Sequence, residues 1–248
     1  MNVEELSSIM DEHYSLKRLV YVNSAKHAYS EIMLDSHLAL FGKNNSGKTA
    51  SLAGTKLTLF PEVSFTRNEE KFRFKGKAGL YSPVESYDFY FPRANSFIVL
   101  EVENPEGLFC MVLYRAADLG YGRFFIPVPY DTLRPVFWDR KSNAFSENLN
   151  LAAVRDFSKA NDGLQVTEMK QLRKIMFSRT SMGRGRNRFS VIPIIDDRSE
   201  SIEAFYNIYH LAFDNSDVET QSLPSAIATL LEMRRGHDRE RLDANLLK

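Results

Sequence analysis

The chain has 248 residues, 44% hydrophobic and 26% charged, the balance of an ordinary globular chain with ample core. Its 32 Lys and Arg cancel its 32 Asp and Glu, which excludes a global field for nucleic acid; any such contact needs a local patch. The single Cys110, between Phe109 and Met111, reads as a buried thiol and excludes both an intrachain disulfide and a cysteine metal site.

Residues 3–13 read as a short polar helix. Glu4, Glu5, Asp11 and Glu12 argue against a secretory leader, and no later run is long and apolar enough to span a membrane, so a cytoplasmic location is expected. Leu16 to Tyr21 alternates apolar and polar residues and ends at Asn23-Ser24; Tyr29 to Met33 repeats the pattern. Both predict strands, forming a hairpin. Asp35-Ser36 then turns into Leu38-Ala39-Leu40-Phe41, a short apolar run suited to a buried strand.

Next stands Gly42-Lys43-Asn44-Asn45-Ser46-Gly47-Lys48-Thr49, which fits the phosphate-binding loop G-x-x-x-x-G-K-[ST]. Ala50 to Phe60 continues as a helix, so strand, glycine loop and helix follow in the order the motif requires. A triphosphate packs several negative charges into a small volume. Backbone N–H groups from Gly42, Asn44, Asn45, Ser46, Gly47, Lys48, Thr49 and Ala50 are the expected cradle, aided by the helix N-terminus. Lys48 is the expected partner of the β- and γ-phosphates, and the Thr49 hydroxyl the expected ligand of Mg²⁺. Asn45 stands where many such loops carry glycine, a mild departure because Asn tolerates left-handed backbone. The competing reading is a chance glycine turn before a helix.

Residues 66–80 are polar, basic and glycine-punctuated and predict a loop. Pro83 and Pro92 bracket Val84 to Phe91, read as an irregular or edge segment. Ser96 to Glu103 and Leu108 to Arg115 predict two strands joined by the turn Asn104-Pro105-Glu106-Gly107. Arg123 to Val128 predicts another, placed at an edge by Pro127 and Pro129. Tyr130, Phe137 and Trp138 read as core or interface aromatics rather than a base-stacking platform.

The second half is helical: Leu151 to Lys159, Thr167 to Ser178 and Ser199 to Phe213 carry helical spacing. Pro224 suits the start of a last helix that becomes highly charged beyond Met233 and needs a partner helix. Between Met169 and Ile195 stand Lys170, Arg173, Lys174, Arg179, Arg184, Arg186 and Arg188 without one acidic residue. Such a patch suits a phosphate backbone; a solvated surface is the plain alternative. Val191 to Asp197 imitates the apolar strand whose terminal acid holds Mg²⁺, but Pro193 interrupts it, so Asp197 reads rather as a turn or cap acid.

The strand pair, the phosphate loop, the stretch Leu57 to Asn68 with its Pro61 and Arg67-Asn68, the loop at Lys75-Gly76 and the hairpin after it resemble the N-terminal half of an SMC-type ATPase head, of the MukB, MksB and JetC branch. Met169 to Phe177, Asp197 to Phe213 and Ser225 to Leu231 are similar to the helices that lead into that family's coiled coil. The resemblance implies an α/β fold, a P-loop NTPase half-domain with antiparallel β-hairpins and a helical second half. Residues 1–222 are then the head half and 223–248 the start of a neck helix. It also implies ATP and Mg²⁺ as cofactors, and as partners the C-terminal half of the same head, a second head as homodimer, a kleisin-type subunit and double-stranded DNA, with no membrane. The setting is the nucleoid, in chromosome condensation or plasmid defence. Arg179, Arg184, Arg186 and Arg188 are the expected DNA contacts, and Gln165 and Gln171 candidates, by residue type alone, for the Mg²⁺-sensing glutamine; Arg67, which follows the loop helix, reads as a solvated arginine rather than one near nucleotide. The attacking water's base is expected from outside this chain. Two alternatives stand beside this: another DNA-linked P-loop ATPase with a nuclease domain elsewhere, of the overcoming-lysogenisation type, and a non-catalytic module in which ATP only gates dimerisation.

Overall fold

The computed structural model describes residues 13–35, 48–66, 75–76, 79–80, 83–178 and 187–193. The chain divides into two compact units, Met1–Pro193 and Ile194–Lys248, the second outside the described residues. The expected helices at 3–13, 199–213 and beyond Pro224, the strand at Leu38–Phe41 and the head–neck boundary at 222/223 fall outside them as well, apart from His13.

Alternating apolar residues build one antiparallel sheet. Strands β1 (Ser15–Ser24) and β2 (His27–Met33) form the predicted first hairpin. Its turn places Ala25 at φ 51° and Lys26 at φ 65°, the left-handed pair that a two-residue hairpin demands. Strands β5 (Phe97–Asn104) and β6 (Gly107–Arg115) form the second hairpin, in which Val99 faces Val112 and Glu101 faces Cys110. Gly107 takes φ 111° at its turn, and Asn104 Oδ1 accepts from the Glu106 N–H at 2.9 Å. With β7 (Tyr121–Ile126) and β10 (Leu164–Val166) the six-stranded order is β10-β7-β6-β5-β1-β2. The fold is therefore mixed α/β, and every described strand pair is antiparallel.

Two expectations are corrected here. The segment between Pro83 and Pro92 is an α-helix, α2 (Pro83–Tyr90), neither irregular nor an edge. Pro83 occupies its first position, where no N–H is needed, and Pro92 follows its end, so both prolines are helix boundaries. Strand β7 is not an edge: it pairs with β6 and with β10. It stops at Ile126, so Pro127 and Pro129 lie beyond the ladder. Within the predicted 66–80 loop two minimal strands pair, β3 (Lys75–Gly76) and β4 (Gly79–Leu80).

The alternation sorts the sheet into two covered faces. On one, Val20, Val22, Val99, Cys110, Val112, Phe124 and Ile126 form a core with Tyr130, Leu133, Phe137 and Val154. These last come from helix α3 (Tyr130–Leu133), from Phe137 just after the 3₁₀ turn Arg134–Val136, and from helix α4 (Leu151–Ala160), whose Asn150 cap accepts from the Ala153 N–H at 2.9 Å. Cys110 is fully buried as expected, and burial pushes its thiol well above the ordinary value. Trp138 opens the small hairpin β8 (Trp138–Asp139) and β9 (Ala144–Phe145) and stacks on Tyr29 with ring centroids 4.6 Å apart, a packing role like that expected of it. No helix among the described residues is long and apolar enough to cross a membrane.

The opposite face carries helix α1 (Lys48–Leu59) and α2, with Leu57, Phe60, Phe65, Tyr90 and Phe91 buried there. The chain leaving α1 runs beside β7: Tyr121 N–H donates to the Val63 carbonyl at 2.8 Å. Arg123, one of the largest fully buried side chains, reaches from β7 to this junction. Its guanidinium donates to the carbonyls of Leu57 at 2.7 Å, of Phe60 at 2.6 Å and of Glu62. A helix C-terminus leaves its last carbonyls without partners and carries partial negative charge, so a buried cation is suited to it. Arg123→Ala strands these carbonyls in the core. We expect a loss of at least about 3 kcal/mol, read from urea unfolding, and only partial recovery with Arg123→Lys, because an ammonium lacks the planar fork.

Candidate functional site

Lys48, Thr49 and Ala50 form the first described turn of α1. The rest of the phosphate-loop motif, Gly42, Asn44, Asn45, Ser46 and Gly47, lies outside the described residues, as do Arg67, Arg179, Arg184, Arg186, Asp196 and Asp197. What the structure does place is the body of the helix that starts with Lys48-Thr49. At its centre Gly54 sits against Tyr21 of β1: a Cβ there would stand 1.9 Å from Tyr21 Oη and 2.8 Å from Cζ. Tyr21 is fully buried, and its ring stacks on His27 with centroids 5.5 Å apart, so it has little room to retreat. Helix α1 is thus held at its middle by close backbone approach and at its end by Arg123. The two anchors fix its axis, and with it the position of Lys48, about 9 Å from Gly54 at 1.5 Å rise per residue.

The other predicted polar residues are dispersed. Gln165 is exposed on the short β10 and donates to Tyr114 Oη at 2.5 Å. Gln171 is exposed on helix α5 (Met169–Phe177). Arg188 is exposed, with its guanidinium 6.0 Å from the Phe189 ring centroid. Val191 to Pro193 is not strand, in keeping with the reading that Pro193 breaks the imitation of a metal-binding strand. Among the described residues no group of three His, Cys, Asp or Glu side chains is placed to hold a metal ion.

A second polar concentration was not foreseen. On the face carrying Tyr130, Arg18 of β1 bonds Glu31 at 2.8 Å and lies 3.1 Å from both Glu101 and Asp131. Arg134 takes Glu31 in a fork at 2.8 and 3.2 Å and also binds Asp131. Both guanidinium groups lie over the Tyr130 ring, 5.3 and 5.1 Å from its centroid. Tyr29 donates to Glu31 and meets Tyr130 Oη at 3.0 Å, while the Tyr130 N–H donates to Glu101 at 2.7 Å. Every charge in the cluster meets an opposite one, the requirement for sinking such groups into a sheet face. Its work is to fasten α3 and the 3₁₀ turn across β1, β2 and β5. A cavity of about 350 Å³ lies elsewhere, beside Asn95, Arg115 and Leu151. Its Arg115 is engaged with the Phe91 carbonyl and lies over the Tyr87 ring, 4.6 Å from the centroid.

Arg123 and Gly54, missed as site-supporting residues, each left a trace in the sequence. Arg123 is the single charge in Tyr121-Gly122-Arg123-Phe124-Phe125-Ile126, and a charge inside an apolar strand needs an internal partner. Gly54 interrupts a helix where Ala is the better former, which implies close packing. Comparison of the chain with protein-family models, with curated proteins and with solved structures finds no match.

Two outcomes follow from this geometry. Gly54→Ala adds an atom inside the Tyr21 ring contact; overpacking of about 1–3 kcal/mol outweighs the gain of about 1 kcal/mol in helix propensity. The expected net destabilisation shrinks when Tyr21→Phe removes Oη, so a double-mutant cycle by urea unfolding should return a clear coupling energy. For the charge cluster, burial by itself raises the Glu31 carboxyl. The hydrogen bonds from Arg134 and Tyr29 and the charges of Arg134 and Arg18 outweigh that and hold it below its ordinary 4.5. A lowered carboxylate stabilises the fold above its unfolded value and loses that contribution as pH falls through the folded value. Thermal stability should therefore drop below about pH 4.5. Glu31→Gln should lower the melting temperature at pH 7 and flatten this acid limb.

Proposed function

We propose that this chain is the ATP-binding half of an SMC-like head. The observation that carries the reading is a coincidence of sequence and backbone: the motif's Lys48-Thr49 form the first described turn of an α-helix that is anchored to a sheet at two points. The residues of this chain fit ATP and Mg²⁺ by type, with a glycine-rich run ahead of a helix that opens on Lys and Thr. Bound Mg²⁺ neutralises phosphate charge during transfer. Lys48 and the N–H groups from Asn44 to Thr49 would hold the triphosphate oxygens, and the Thr49 hydroxyl would bind the metal. Because phosphoryl transfer rests mostly on positioning and electrostatics, a rigid α1 is a direct asset to the site.

In this reading the catalytic set is completed by the C-terminal half of the same head and by a second head that closes over the nucleotide. ATP-driven closing and opening of the pair then acts on double-stranded DNA at the nucleoid through coiled-coil arms and a kleisin-type subunit. Chromosome organisation and plasmid defence are both served by that cycle.

The test is nucleotide binding followed by turnover. The chain should bind a fluorescent ATP analogue in Mg²⁺, and Lys48→Ala should weaken binding at least about tenfold, a loss of about 1.4 kcal/mol. Ala keeps the helix start intact. The chain alone should bind without turnover and hydrolyse ATP only when its C-terminal counterpart is supplied. Binding that ignores Lys48→Ala removes the site; ordinary hydrolysis by the chain alone removes the half-head reading.

A further inference from the structure

The cavity beside Asn95, Arg115 and Leu151 lies where strand β6 ends, next to the turn that precedes β5 and the start of helix α4. Its volume of about 350 Å³ suits a small ligand, at the low end of the span of about 300–1,000 Å³ found for small-molecule pockets. Ala94, Ala116, Ala117 and Leu151 give it apolar walls. Its polar lining is Asn95, Arg115 and Asn150, and among the described residues no acid lines it.

The three polar residues are alike in what they have left to offer. Asn95 Oδ1 accepts from Asn23 Nδ2 at 2.8 Å, and Asn150 Oδ1 caps α4 by accepting from the Ala153 N–H at 2.9 Å. Each amide thus spends its oxygen inside the fold, and what remains to it is an NH2 group. Arg115 donates through Nη1 to the Phe91 carbonyl, and the same nitrogen lies 3.7 Å from Asp88; Nε and Nη2 are its remaining donors. The walls are set in advance. Ser96 Oγ accepts from the Arg93 N–H at 3.0 Å and the Arg93 carbonyl from the Ser96 N–H at 3.1 Å, which closes the turn carrying Ala94 and Asn95. The Ala116 carbonyl accepts from Tyr87 Oη, and the Ala117 carbonyl from the Gly120 N–H at 2.8 Å.

We infer that this cavity is a binding site for a small aliphatic carboxylate, one carboxylate group on a short apolar body. Side chains that offer only donors select an acceptor, and a charged acceptor gains most from guanidinium and amide N–H groups. The apolar walls select the body, because covering it removes apolar surface from water. A polyanion is a poorer match: one arginine supplies one positive charge, and Asp88 already stands beside it. Binding carries little ordering cost, since the lining is hydrogen-bonded in place before the ligand arrives. The inference does not rest on nucleotide binding.

The test is a titration of the full nitrogen-15-labelled chain with isovalerate, followed by NMR at the side-chain amide signals of Asn95 and Asn150. Asn95→Asp and Asn150→Asp assign those signals by deleting them. Isovalerate should move both signals saturably at millimolar concentrations. Each substitution keeps an oxygen for Asn23 or for the Ala153 N–H, so the turn and the cap survive, but it replaces a donor with a charge like that of the ligand. Each should weaken binding at least about tenfold, read from the remaining asparagine. Uncharged isovaleramide, and acetate, which lacks the apolar body, should both bind more weakly than isovalerate. Lys48→Ala should bind it like the parent. Should Asn150→Asp fail to fold by circular dichroism, Asn95→Asp carries the test alone. The inference is overturned if neither amide signal moves saturably, if the Asp variants bind undiminished, or if isovaleramide or acetate binds as tightly as isovalerate. Loss of binding in Lys48→Ala places the acid at the phosphate loop and overturns it as well.

Discussion

The structure turns on a guanidinium with no access to water. Arg123 projects from a central strand into the face where helix α1 ends, and there it gathers the carbonyls of Leu57, Phe60 and Glu62. A cation in that position without acceptors is untenable, and three carbonyls at a buried helix end without donors are nearly so. Each requirement answers the other. The consequence reaches the opposite end of the helix. With Gly54 against Tyr21 at the middle and Arg123 at the terminus, α1 is held against the sheet at two points, and these set the line along which it runs back to Lys48 and Thr49.

Much of the sheet was readable because its strands obey a period of two and end in unambiguous turns. Asn104-Pro105-Glu106-Gly107 supplies both an Asx hydrogen bond and a glycine at positive φ, and the register of β5 against β6 follows. Helices 151–160 and 169–177 were readable for the same reason, a stripe that returns every three to four residues. Proline was harder. The same residue ends strands, starts helices and marks edges. At Pro83 and Pro127 the choice among these depends on what lies next door in three dimensions: a helix packed on the sheet in one case, the three-residue β10 in the other. No local pattern announces β10, whose pairing with β7 joins residues some forty positions apart.

The candidate site divides along the same line. The chemistry proposed for it rests on a contiguous motif, which is local and therefore visible in the sequence. Its mechanical support is carried by Tyr21, Gly54 and Arg123, residues that meet only through the fold. The charge cluster around Glu31 is non-local in the same way. Arg18, Glu31, Glu101, Asp131 and Arg134 come from four separate segments, and only the antiparallel register that sets Arg18 opposite Glu101 brings them together.

These features share one rule about charge. The protein sinks arginine in two ways: Arg18 and Arg134 against carboxylates, and Arg123 against the oxygen atoms of a helix end. At these three arginines the buried charge meets complementary groups, as a low-dielectric interior requires. On α5 no such matching is needed, because Lys170, Arg173 and Lys174 are exposed. Charge matched in this way is the physical reason to assign structural work to Arg18, Arg123 and Arg134.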